Sequence, residues 1–105
     1  MAKATYGTGS SVMMNVGERP IQTSSGLSAC VAFGFQGRVF YALEGNVTCS
    51  GDTLCWLRDE AEWIEDVSQV EALAASVPDA GGAYLVPAFS GLGAPYFDSE
   101  ARALF

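Results

Sequence analysis

Two short stretches of the chain carry residue types suited to holding an anion. Gly7-Thr8-Gly9-Ser10 sets a hydroxyl between two glycines directly behind a β-favouring run, and Thr48, Ser50, Gly51 and Asp52 stand at the head of an amphipathic segment. The chemistry in both cases is hydrogen bonding to phosphate oxygens. In the first stretch, successive backbone N–H groups and the Thr8 hydroxyl would form an anion nest without any lysine. In the second, a glycine lets an oxyanion approach amides at the positive end of a helix dipole. Each also has a plain structural explanation: a turn or bulge for the glycine pair, an ordinary helix start for Gly51. The spacing fits neither the phosphate loop that ends in Lys and Ser or Thr nor the three-glycine dinucleotide fingerprint.

Composition excludes much other chemistry. The 105 residues include no histidine, so no imidazole is available to take a proton from a Ser or Cys nucleophile. Cys30, Cys49 and Cys55 show no CxxC spacing, and no metal site built from protein side chains is expected. They read as small buried or half-buried thiols of a reducing compartment. Five Lys and Arg against twelve Asp and Glu give a net charge of −7, which argues against a nucleic-acid or anionic-membrane partner. No apolar run approaches the roughly 18 residues of a membrane span, and no signal segment follows Met1-Ala2-Lys3. A cytoplasmic chain is expected. Glu44, Asp59, Glu60 and Asp98 read as solvated or loop-bonded carboxylates rather than catalytic bases, because a base needs a closed substrate pocket to position it. Trp56, Trp63, Phe89, Tyr96 and Phe97 read as packing groups.

The elements that must position the two stretches follow from periodicity. Residues 5–16 mix β-branched, aromatic and Met residues with glycine, predicting one strand whose first half passes through the glycine loop, with turn chemistry from Asn15 to Pro20. A second strand is predicted over 27–35, a tight turn at Gln36-Gly37, and a third strand over 38–43 pairing antiparallel with the second. The result is a three-stranded β-meander over 4–43. Leu54, Leu57, Ala61 and Ile64 then recur at helical spacing, predicting an amphipathic helix over 47–66. Ser68 with Glu71 forms a capping-box pattern for a short helix ending near Val77, which Pro78 to Gly82 stops. Tyr84-Leu85-Val86 is expected as a fourth short strand. The fold class is α+β.

A phosphate chain gripped between a glycine hairpin and a helix start is the arrangement of the sugar-kinase and actin-like ATPases. Five blocks point the same way: YGTG at 6–9, MMNVGE at 13–18, YALEG at 41–45, WLRDE at 56–60 and VPAFSGLGAPYFDSEAR at 86–102. In order and spacing they resemble the glycerol kinases of the FGGY-type carbohydrate kinases. The resemblance implies a piece of the C-terminal, ribonuclease H-like (actin-like ATPase) domain, with 68–105 as a family insertion. It implies that Thr8 contacts nucleotide phosphates, that Gly7 and Gly9 allow the turn, and that Gly51 is a nucleotide-contacting glycine. Cys55 stands where the family commonly has a glutamine, Cys49 where hydrophobic residues are usual, and Ser10 and Ser11 replace larger or apolar residues. The cofactors implied are ATP and Mg in the parent kinase, with none bound tightly by this chain. The catalytic aspartate, the polyol-binding residues and the adenine site are expected outside residues 1–105, so the chain alone is not expected to be catalytic. Its expected partners are nucleotide phosphates, weakly, and either the remainder of the kinase or a second copy. The last is the alternative function: a self-associating interaction module using an exposed sheet face and edge.

Overall fold

The computed structural model describes residues 1–105. The glycine pair divides the first predicted strand into two. β1 (Ala2–Tyr6) and β2 (Ser10–Gly17) pair antiparallel with Tyr6 opposite Ser10, and Gly7-Thr8-Gly9 is their connection. β3 (Ser28–Phe35) and β4 (Arg38–Val47) form a second hairpin around Gln36 and Gly37. Both turn residues have positive φ, 48° and 75°, as a two-residue connection with the twist of the flanking strands requires.

β4 also pairs with β2, giving an antiparallel sheet in the order β1-β2-β4-β3. The expected three-stranded meander is corrected on two counts. There are four strands, and β2 and β3 are not neighbours, because β4 inserts between them. β4 also runs past Leu43, the predicted end of the third strand, to Val47, so that Gly45 lies within the strand opposite Val12. A side chain at Gly45 would press on Leu27, 3.2 Å from its Cδ2.

Register assigns the faces. β4 is regular throughout, with single bulges in β2 near Val16 and in β3 near Ala32. Period-two alternation puts Ala4, Tyr6, Val12, Met14, Val31, Val39, Tyr41, Leu43 and Val47 on one face, which carries no charged residue. Lys3, Met13, Asn15, Arg38, Phe40 and Glu44 share the other. There the Phe33 and Phe40 rings stack at 4.7 Å and Arg38 lies over Phe40.

Arg38 also pairs with Glu18, tying the end of β2 to the start of β4. The hydrogen bond from Arg38, reinforced by its charge, holds the Glu18 carboxyl below its ordinary value. A lowered pKa stabilises the fold above the unfolded value, and that contribution is lost as pH falls through the folded one. An NMR titration of Glu18 is expected to show a midpoint below the ordinary Glu range that returns to it in Arg38→Met.

The helices are α1 (Gly51–Asp59) and α2 (Gln69–Ala75). The helix predicted over 47–66 is thus corrected to less than half that length. Glu60 and Ala61 amides both return to the Trp56 carbonyl, and Trp63 N–H reaches Leu57 O. Glu62 then adopts a positive φ of 54°, which ends the helical path. The turn brings Trp63 edge-on to Trp56 at 6.1 Å and to Phe105 at 5.3 Å. The Ser68 side chain makes no capping bond at α2. Asp66 Oδ1 instead accepts the Ser68 amide at 2.8 Å, and Gln69 Oε1 accepts the Glu65 and Asp66 amides.

Tyr84–Val86 is not a strand; Val86 makes only an isolated antiparallel bridge with Leu104. The run from Val86 to Tyr96 docks instead on the end of β4. Asn46 N–H donates to Ala94 O at 3.0 Å while Asn46 Oδ1 accepts the Ala94 amide at 2.7 Å, and Thr48 Oγ1 donates to Gly91 O at 2.9 Å. Ala42, Leu43, Cys49, Thr53, Ala88 and Ala94 are buried. The chain exposes 7596 Å², against about 5,600 Å² expected of a compact fold of this mass. Its radius of gyration is 17.3 Å, against about 13 Å.

Candidate phosphate site

The β1–β2 hairpin and the start of α1 lie in contact. β2 and β4 pair from Asn15–Ala42 to Ser10–Val47, so the Gly9 end of the hairpin and the Val47 end of β4 emerge side by side. α1 begins four residues later. Gly7, Thr8, Gly9 and Gly51 are thereby brought together.

The contact uses the groups expected to be free for an anion. Gly51 N–H donates to Gly7 O at 2.9 Å, Ser50 N–H to Thr8 O at 2.8 Å and Asp52 N–H to Thr8 O at 3.2 Å. The expectation that the first-turn amides of this helix lie uncovered is therefore corrected. Hairpin carbonyls cap them and occupy the positive end of the dipole. Ser50 directly precedes α1, yet its side chain makes no capping bond to that helix. Its hydroxyl crosses to Gly7 O at 3.1 Å and shares a 2.6 Å hydrogen bond with Ser10 Oγ. Sequence reading gave Ser10 no chemical part here. A serine in each of two segments known to converge is the only signal that points to the pair.

The glycines serve close approach. Neither Gly7 nor Gly9 has a positive φ, so turn conformation is not what demands them. A Cβ on Gly9 would lie 2.8 Å from both Val47 O and Thr48 O, and one on Gly51 would lie 2.4 Å from Gly7 O. One on Gly7 would meet nothing nearer than Gly9 O at 3.6 Å.

With the Gly7 and Thr8 carbonyls turned to the helix, the tip presents donors elsewhere. The Thr8 amide, the Gly9 amide and the Thr8 hydroxyl have no partner within the chain, and Thr8 is exposed. Unpartnered amides and a hydroxyl on successive residues of a braced hairpin are the donor types that an anion nest uses.

Two of the carboxylates weighed as candidate bases, Asp59 and Asp98, are engaged by their own neighbours. Arg58 donates two hydrogen bonds to Asp59, at 2.6 and 2.9 Å, and holds that carboxyl below its ordinary value. Asp98 Oδ1 accepts the Glu100 and Ala101 amides. No three or more Cys, Asp or Glu side chains gather in a metal-ligating group. Cys30, Cys49 and Cys55 are unpaired thiols, Cys49 buried and the others half-buried. No helix is long and apolar enough to cross a membrane.

Comparison with known proteins matches residues 2–105 to the C-terminal domain of the FGGY family of carbohydrate kinases. The chain is 54% identical over 102 residues to the glycerol kinase of Halorhodospira halophila, covering 97% of this chain and 20% of that protein. It is 56% identical over 106 residues to that of Shewanella oneidensis, covering 100% of this chain and 22% of that protein. Among solved structures, Plasmodium falciparum glycerol kinase with ADP superposes with a TM-score of 0.84 at 36% identity, over 98% of this chain and 21% of that one. The chain thus spans about a fifth of the length of these relatives.

Proposed function

Because the chain belongs to the C-terminal-domain family of the FGGY carbohydrate kinases, we propose that it is the phosphate-holding segment of a glycerol kinase. The parent reaction is transfer of the ATP γ-phosphoryl group to a primary hydroxyl of glycerol. In such transfers the protein mainly positions charge, and magnesium bridges the phosphates. Within this chain, Thr8 N–H, Thr8 Oγ and Gly9 N–H donate to phosphate oxygens. Gly51 acts one step back, letting α1 approach and stiffen the hairpin. The carrying observation is the hairpin tip, whose donors are free while its carbonyls are anchored to the helix. The likeness to a kinase solved with ADP supports the same reading. The sheet corresponds to the antiparallel part of a ribonuclease H-like domain, residues 68–105 to an insertion in it, and the free thiols suit the cytoplasm. Catalysis and adenine binding belong to the rest of such a kinase.

Three donors without adenine or metal contacts bind weakly, on the order of 1 mM. Titration of the ¹⁵N-labelled chain with pyrophosphate and with ADP is expected to shift the Thr8 and Gly9 amides, saturating in the millimolar range. Gly51, whose amide is already bonded, should move little. Shifts centred on Gly51 with Thr8 unmoved would refute the assignment, as would micromolar binding.

A second reading, that the chain alone self-associates, is favoured by a separate observation: the roughly 2,000 Å² it exposes beyond the amount expected for its mass.

A further inference from the structure

We propose that Ser10 and Ser50 are positioning residues for phosphate recognition, a two-hydroxyl relay that acts through the Gly7 carbonyl to aim and strengthen the Thr8 amide. The inference rests on the phosphate-holding reading of the hairpin and names what orients its donors. Neither serine is placed on the phosphate itself.

The direction of the relay follows from the number of protons. A serine hydroxyl has one hydrogen to donate and two lone pairs. Ser50 Oγ donates to Gly7 O at 3.1 Å, so in its 2.6 Å contact with Ser10 Oγ the hydrogen comes from Ser10. Gly7 O then has two donors, because Gly51 N–H also reaches it at 2.9 Å, and both of its lone pairs are in use. Thr8 O is filled likewise, by the Ser50 and Asp52 amides at 2.8 and 3.2 Å.

Filling these carbonyls governs the opposite ends of the same peptide groups. In a trans peptide the carbonyl and the following amide lie in one plane and point opposite ways. The Gly7 carbonyl shares its peptide with the Thr8 amide, and the Thr8 carbonyl shares its peptide with the Gly9 amide. With both carbonyls turned to α1, the two amides are turned from it, and neither has a partner within the chain. A peptide that accepts at its oxygen is also polarised into a better donor at its nitrogen, by roughly 10–30% per bond, and the gain accumulates along a chain of hydroxyls. The serines are seated for this. Ser10 is held on both sides, opposite Tyr6 in β1 and Val47 in β4, and Ser50 spends no bond on capping its helix. Both are half-buried, which limits competition from water.

The test is titration of the full ¹⁵N,¹³C-labelled chain with pyrophosphate, in the wild type and in Ser10→Ala, Ser50→Ala and the double variant. Ser50→Ala is expected to weaken the binding read at the Thr8 amide about fivefold, the equivalent of one hydrogen bond, and Ser10→Ala roughly twofold. The double variant should bind no more weakly than Ser50→Ala, because a relay broken at Ser50 leaves Ser10 nothing to act through. Before any pyrophosphate is added, the Gly7 carbonyl ¹³C resonance should move in both single variants, further in Ser50→Ala. That resonance reports bonds accepted by the carbonyl, and a loss of stability alone does not shift it. Ser10→Ala leaves every backbone bond between hairpin and helix in place, so the comparison survives should Ser50→Ala fail to fold. Absence of any Thr8 or Gly9 shift in the wild type overturns the phosphate reading, and the relay with it. Wild-type binding that the variants retain unchanged overturns the relay alone. So does a Gly7 carbonyl that stays put, or losses that simply add in the double variant, which would make the serines two separate packing residues.

Discussion

Gly51→Ala is expected to destabilise the chain by about 2–3 kcal/mol, the range for forcing an atom into occupied space. The new Cβ would lie 2.4 Å from Gly7 O and 3.1 Å from Gly7 C. The obstruction is backbone in a three-residue connection, so no side chain can swing aside. If the hairpin retreats, Gly51, Ser50 and Asp52 lose their bonds to Gly7 and Thr8, each worth about 1 kcal/mol. The sign is diagnostic. By helix propensity alone, alanine at the first helical position would stabilise α1 by up to about 1 kcal/mol. Urea unfolding followed by circular dichroism decides between the two, with amide exchange at Ser50 to Asp52 as the local readout. A stabilised variant would mean that the hairpin does not bear on the helix, and the braced tip would go with it.

Gly26→Ala is expected to cost about 3 kcal/mol or more. Gly26 has φ of 80°, which a Cβ makes costly by roughly 1 kcal/mol, and that Cβ would stand 2.1 Å from Pro95 O. Overpacking against a backbone carbonyl adds about 1–3 kcal/mol. The comparison with Gly93→Ala is the control. There the nearest atom is the Asn46 side-chain oxygen, at 2.0 Å, and that amide can rotate away at the cost of the Ala94 hydrogen bond, about 1 kcal/mol. Chemical denaturation should rank the wild type above Gly93→Ala and Gly93→Ala above Gly26→Ala. Equal losses would show that the 86–96 run is not seated by Gly26 on one side and Asn46 on the other.

Local chemistry made parts of the structure legible in advance. Gln36-Gly37 read as a two-residue turn and proved to be one, and the change of period after β4 marked a helix. Its length was not legible, because Ala61 and Ile64 continue the apolar spacing while Trp63 is drawn to Trp56 and Phe105, an aromatic contact no local window contains. Gly7-Thr8-Gly9 carried two readings, turn and anion cradle, and only the pairing of Tyr6 with Ser10 shows the strand reversing there. The predicted third strand stopped at Leu43, yet β4 continues through Gly45, which lies against Leu27 and the Ala94 carbonyl. Gly7, Thr8, Gly9 and Gly51 were singled out in the sequence and lie together in the fold, but the direction of their backbone groups was not legible. Whether an amide faces solvent or a neighbouring carbonyl depends on how segments some forty residues apart meet. The serine bridge between Ser10 and Ser50 escaped notice for the same reason.

The interleaved strand order also governs how the sheet is built. β1 with β2, and β3 with β4, each close across a short connection and can zip within microseconds. Only the β2–β4 seam, where Met14 meets Leu43, joins distant parts of the chain and bears the loop-closure entropy of doing so. Assembly therefore reduces to one long-range encounter between two ready-made ribbons, and residues along that seam, rather than those in the turns, set its pace.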